Sequence, residues 1–230
     1  MLDALLPDIS RLVIEEGRPA DALLNSHLRS HRELGSRDRR FLSQAVFSYF
    51  RWMGWTVNKL GLPPAEACLL GAALDSTELA QSFQYLEGRC ALPFPVTPLG
   101  DKTVEEKRDA LNELFKDKAD FQPLELADLV LADFASVVDP ERIERCVIAL
   151  QRRPPTWIRA RADAAALVSK LAARDVSSAS HAKNAAAIAV DAGVSLQHAL
   201  EKQTSQFVVQ DVASQCVGLV AAPERGGDWW

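Results

Sequence analysis

The stretch "RRPPTWIRAR", residues 152–161, decides how the chain divides. The Pro154–Pro155 pair stops any helix arriving from upstream, because proline lacks the N–H that a helix interior needs. Thr156, Ile158 and Ala160 then alternate with Trp157, Arg159 and Arg161, the two-residue period of a strand. Downstream, helical and strand-like runs follow one another. A helix is expected at 163–174, a strand at 185–191, a helix-like turn at 195–202, a short strand at 206–211 and an amphipathic helix at 211–222. This reads as a small α/β unit of 154–222, with 223–230 left over as the opening of something further.

Upstream the reading is helix after helix. Residues 2–16 and 19–32 are amphipathic, with Pro19 at a helix start. The clearest element is 37–60, where Phe41, Leu42, Ala45, Val46, Tyr49, Phe50 and Met53 fall at helical spacing. Ser36 is the expected N-cap, and Asp38 sits in the first turn where the helix dipole favours it. Phe47, Trp52 and Trp55 lie off that stripe, so the helix is expected to be buried on more than one side. A helix entered through Pro63 or Pro64 runs to about residue 75, and Thr77 is the expected cap of another ending near 87. Three prolines and a glycine make 91–101 a connector, and short helices are expected near 103–116, 123–135 and 139–150. Residues 1–153 thus form an all-helical bundle.

Composition narrows the function classes. The 230 residues are 48% hydrophobic and 25% charged, which suits a globular chain that needs no disulfide or metal staples. The opening, with Asp3 and Asp8 among its apolar residues, has no basic leader, and no apolar run approaches the roughly 20 residues of a membrane helix. The expectation is a cytoplasmic protein that makes no use of a membrane. Cys68, Cys90, Cys146 and Cys216 are widely spaced, as in reduced and mostly buried thiols.

The net charge of −5 belongs to the N-terminal part, since seven basic and seven acidic residues follow Pro154. Residues 101–144 hold 13 acids and six bases. Two stretches run the other way: "RSHRELGSRDRR" (29–40) and "QRRPPTWIRAR" (151–161). Such balance excludes a strong non-specific nucleic-acid binder but permits a local docking patch. Guanidinium groups bind phosphate in bidentate fashion, and Trp157 adds a ring on which a base can stack. No glycine-rich cofactor loop, phosphate loop or nucleophile–base pair stands out, so no catalytic, cofactor or metal residue is assigned. His27 and His31 share a helix face, but no third ligand is near, and a solvated basic face is the expectation.

Three segments resemble one family. "FVVQDVASQCVGLVAAPERGGDWW" (207–230) is similar to the segment before the cofactor site of RsmB-type (Sun family) RNA cytosine-C5 methyltransferases. There a strand ending in Gln-Asp leads into a helix starting near Ser-Gln, here Gln210, Asp211, Ser214 and Gln215. A Pro-x-x-Gly turn then leads into the catalytic fold, here "PERGGDWW", with Asp228, Trp229 and Trp230 opening its first strand. "RRPPTWIRAR" resembles the first strand of the family's small RNA-binding domain. Arg159 matches a family arginine, while Arg161 stands where asparagine is usual. "GSRDRRFLSQAVFSYFRW" (35–52) resembles the family's NusB-like domain through Asp38, Arg39, Arg51 and Trp52.

The resemblance implies a NusB-like helical domain over 1–153 and a ferredoxin-like α/β domain over 154–222. It implies the substrate-recognition half of an enzyme whose S-adenosylmethionine site and catalytic cysteines lie beyond this sequence. Ribosomal or transfer RNA and the catalytic domain in cis are the implied partners. The expected RNA contacts are Arg37, Arg39, Arg40, Arg51, Arg152, Arg153, Trp157, Arg159 and Arg161. The expectation from a different class is a non-catalytic NusB-like module that docks a protein, which the acidic 101–144 segment would suit.

Overall fold

The computed structural model describes residues 2–92, 94–131, 133–191, 194–200 and 205–222. They form two compact units, Met1–Arg152 and Arg153–Trp230. The first is helical and the second a small antiparallel sheet with helices.

The helical unit opens with α1 (Leu2–Glu16) and α2 (Ala20–Ser30), the latter entered through Pro19. Helix α3 (Ser36–Met53) follows. Gly35, not Ser36, is its N-cap, and no side chain caps it. The stripe read from sequence is the buried one: Leu42, Ala45, Val46 and Tyr49 join α1, α2 and α4 (Pro64–Asp75) in one core. Trp52 and Trp55 are fully buried in a second core with Leu70, Leu74, Leu111 and Phe115. Phe47 departs from the reading and stays exposed. Helix α4 is buried without a break from Ala67 to Leu74, as expected of an alanine- and leucine-rich helix with no polar face.

The α-helix expected over 37–60 changes pitch. Gly54–Lys59 form a π-helical turn, wider than an α-turn. A Cβ on Gly54 would fall 1.9 Å from the Asp128 carbonyl oxygen, so only glycine lets the two backbones meet. The Trp55 indole donates to the Glu125 carbonyl at 2.8 Å, and Lys59 pairs with Asp128 at 3.1 Å. The partner segment is a 3₁₀ turn, Leu126–Leu129, where sequence suggested an α-helix over 123–135. Among the described residues, the latter half of that range holds only the start of one helical turn, α7 (Phe134–Val137).

Between these lie α5 (Gln81–Glu87) and α6 (Val104–Phe115). Helix α5 begins after Ala80, so Thr77 is not its cap. Helix α6 has a full capping box between Thr103 and Glu106. The connector has a definite task at the end of α4. Leu99 donates its N–H to the Ala73 carbonyl at 2.8 Å and Gly100 to Ser76 at 2.9 Å, satisfying groups the helix end leaves open. Gly100 approaches so closely that a Cβ would sit 2.3 Å from Ser76 carbon. A 3₁₀ turn and α8 (Ile143–Leu150) close the unit.

The second unit runs β1 (Thr156–Ala160), α9 (Ala164–Ala172), β2 (Ser178–His181), β3 (Asn184–Val190), α10 (Leu196–Ala199), β4 (Phe207–Val209) and α11 (Val212–Ala221). Sheet order is β2-β3-β1-β4, and every pairing is antiparallel. Strand β1 is central: Ile158 faces Ile188 on one side and Val209 on the other. Ile158, Ala160, Ile188, Val190 and Phe207 pack on Leu167 and Leu171 of α9. Strand β2 was not anticipated from the sequence. Helix α11 touches β1 and β3, yet among the described residues it contributes no side chain to that core.

Only Cys68 is buried; Cys90, Cys146 and Cys216 are half-buried, so the expectation of mostly buried thiols is corrected. Burial pushes the Cys68 thiol up to about 12, which makes it inert. Among the described residues no helix is long and apolar enough to cross a membrane.

Candidate nucleic-acid interface

Alternation along β1 sends Ile158 and Ala160 into the core and Trp157 and Arg159 to the opposite face. Trp157 is therefore half-buried surface and not core. On β3, Trp157 faces Ala189 and Arg159 faces Ala187, while Val208 of β4 flanks Arg159. Ala187 is fully buried, while Arg159 opposite it is exposed. A register shift between Ser180 and His181 brings the His181 ring edge-on to Trp157, at 5.8 Å between centroids. The Lys183 N–H donates to His181 Nδ1 at 3.3 Å, which places the neutral ring's proton on Nε2. Arg153, Arg159 and Arg161 are exposed, and their side chains make no ion pair among the described residues. Beside β1 the unit thus offers a ring, an imidazole and exposed guanidinium groups.

The Gln-Asp…Ser-Gln motif holds this face in shape. Gln210 donates its N–H to the Trp157 carbonyl at 3.1 Å, and at the other end of β4 Arg161 donates its N–H to the Gln206 carbonyl at 2.8 Å. The Asp211 carboxylate caps α11 by accepting from the Ala213 N–H at 2.8 Å. Gln215, nearly buried, donates its amide back to the Gln210 carbonyl at 2.9 Å. The motif is a structural tie beside Trp157. Ser214 is exposed. "PERGGDWW", with Trp229 and Trp230, lies outside the described residues.

In the helical unit the expected arginines part company. Arg39 donates to three main-chain carbonyls, Leu28 at 2.7 Å, His31 at 2.9 Å and Leu34 at 2.9 Å. It closes the C-terminal end of α2 and the turn after it, so its fork is spent inside the fold. Arg51 is paired with Asp75, both largely buried, and is likewise committed. Both guanidinium groups, expected from sequence to contact RNA, are thus held by partners inside the unit. Arg37 is exposed and donates to Gln81 Oε1 at 2.6 Å. Arg40 and, at the end of the unit, Arg152 are exposed with no ion pair among the described residues.

His27 and His31 stack at 4.1 Å, and His31 Nδ1 lies 2.9 Å from the His27 carbonyl. Burial, then the neighbouring His31, lowers the His27 pKa. Among the described residues no group of three or more metal-ligating side chains comes together. Sequence reasoning missed His181, which became visible only with strand β2. It also missed Tyr85 and Arg89 beside Arg37, a tertiary neighbourhood without a local signal.

No protein-family model matches the chain, and no curated protein matches it. Among solved structures, the crystal structure of PH0851 is similar over 98% of this chain, with a TM-score of 0.51 and 14% identity. At that identity the likeness is one of fold. The chain spans 56% of the length of PH0851.

Proposed function

We propose that this chain is the RNA-recognition part of an S-adenosylmethionine-dependent RNA cytosine-C5 methyltransferase, acting on ribosomal or transfer RNA. In this reading the helical unit is NusB-like and the second unit ferredoxin-like. The observation that carries it is Trp157 standing beside exposed Arg159 on the sheet face away from the core. Single-stranded RNA is read by bases stacked on aromatic rings and phosphates held by arginine, and this face supplies both. The Gln210–Asp211…Gln215 tie, and a fold likeness to a longer structure, are consistent with the family resemblance.

Methyl transfer is assigned to residues beyond the described sheet. None of the four cysteines is given a catalytic role.

The test is fluorescence anisotropy of labelled single-stranded RNA with the whole chain over a salt series. Binding should weaken steeply with salt. Trp157→Ala should weaken it about 5- to 150-fold through lost stacking. Arg159→Ala should lower the salt slope by about 0.7. Binding indifferent to salt and to both variants would sink the reading.

A docked protein is the second reading. Helix α11 exposes Val217, Leu219 and Val220, the last at 86%, an apolar group that suits a protein contact better than RNA. Salt-insensitive capture of a protein, with no RNA shift, would favour it.

A further inference from the structure

A cleft of about 550 Å³ opens between α3 and α5 of the helical unit. Its apolar lining is Leu2, Phe41, Leu42 and Leu86. Arg37 of α3 and Arg89, just past α5, also line it. So does Tyr85, with 72% of its surface exposed. Gln81 and Ser82 add an amide and a hydroxyl at the start of α5. A smaller recess of about 230 Å³ shares Arg37, Phe41, Gln81 and Ser82 and extends the groove to Arg40. Three guanidinium groups thus face one acid, Asp38, among the lining residues.

The fold makes little use of these groups. Among the described residues Arg40 and Arg89 make no ion pair, and the Arg37 side chain bonds only to the Gln81 amide. Arg39, by contrast, is wholly occupied one residue from Arg40. An apolar slot of this size, with a ring at its edge and cations on its rim, meets the needs of one nucleotide. The base stacks, its edge finds an amide and a hydroxyl, and the phosphate finds a fork of N–H donors. An acidic peptide would satisfy the arginines too, but it gives the exposed ring beside Gln81 and Ser82 no matching planar, hydrogen-bonding partner.

We infer that the cleft seats one nucleotide, its base on Tyr85 and its phosphate held by Arg37 and Arg89, with Arg40 placed for the next phosphate of a strand. This rests on the RNA reading for the source; a free mononucleotide carries the same chemistry.

The test uses the 230-residue chain, a labelled short single-stranded RNA and, separately, AMP. Tyr85, Arg37 and Arg89 are exposed, so Tyr85→Ala and the double variant Arg37→Ala/Arg89→Ala should fold. Tyr85→Ala should weaken RNA binding about 5- to 150-fold. The double variant should weaken it at least about tenfold and lower the salt slope by about 1.4. AMP bound by the parent and lost in the double variant would identify a free nucleotide as a ligand; RNA response without AMP binding would identify a strand. Either supports the inference. Parent-like binding of RNA and AMP by both variants overturns it, as does uptake of an acidic peptide by a cleft that takes neither. A Trp157→Ala/Arg159→Ala chain separates this inference from the reading above. If the sheet variant abolishes RNA binding and the cleft variants leave it intact, the cleft fails alone. If the cleft variants weaken binding and the sheet variant does not, the sheet reading fails alone.

Discussion

The indole nitrogen of Trp52 lies 2.8 Å from Oδ1 of Asp75, joining the end of α3 to the last residue of α4. Ser48 donates its hydroxyl to Oδ2 at 2.7 Å, and Arg51 pairs with the same oxygen. A carboxylate at a helix C-terminus is disfavoured by the helix dipole, so Asp75 depends on these three donors. Asp75→Ala should destabilise the chain by about 3 kcal/mol, because it strands a largely buried guanidinium and an indole N–H. Urea unfolding would show this as a lower midpoint with an unchanged slope. A midpoint equal to the parent's would mean the network carries no net stability.

Lys107 packs against the same tryptophan. It is only 7% exposed, and its ammonium lies 5.3 Å from the centre of the Trp52 ring. Burial lowers its pKa, only partly opposed by Asp75 and Asp101. The unfolded chain therefore binds more protons than the native one between the lowered value and the ordinary 10.5, and stability from this group should rise with pH across that window. Lys107→Met should flatten that rise and lose nothing at pH 7. Unfolding midpoints at several pH values from 7 to about 10.5 would check it; an equally steep rise in the variant would assign the trend to other groups.

Arg39 and Arg40 are adjacent and chemically identical, yet they should respond in opposite ways. Arg39→Lys loses a fork shared among three carbonyls and should lower stability by about 1–3 kcal/mol without changing RNA affinity of the folded chain. Arg40→Ala should leave the melting temperature unchanged and weaken RNA binding. Thermal melts paired with anisotropy would separate them. Equal effects on both readouts would refute the division of labour.

Gly54→Ala should drive the 3₁₀ turn at Leu126–Leu129 away from the π-helical turn, since the added methyl would overlap the Asp128 carbonyl. The expected loss is at least about 1–3 kcal/mol, as for other overpacked sites. Trp55, which donates to Glu125 three residues from that carbonyl, provides the signal. Its fluorescence should shift toward that of a hydrated indole, and an unchanged spectrum would count against the close approach.

The order of a helical part before a small α/β part was legible because period changes at the two prolines, and both periods rest on apolar burial. Strand β2 was not legible. "SASH" sits at a sheet edge and buries no apolar face, so it carries no alternation. The π-helical turn was hidden because Trp52 and Trp55 keep helical spacing whichever ladder joins them. Trp157 and Arg159 were found by type and spacing, while their side of the sheet followed from Ile158 and Ala160 being the core pair. Nothing local distinguishes Arg39 from Arg40; the difference lies in which carbonyls the turn after α2 turns inward. Tyr85 and Arg89 join Arg37 only through the packing of α5 beside α3.

Strand β1 is the first of its sheet to be made, and it occupies an interior position in the order β2-β3-β1-β4. Its second neighbour, β4, follows about 50 residues later, a delay of several seconds at ordinary translation speeds. Throughout that interval one edge of Thr156–Ala160 has backbone donors and acceptors with no strand to meet them. A ribosome paused between β3 and β4 would therefore display a sticky half-sheet, and the nascent chain is most in need of a chaperone there.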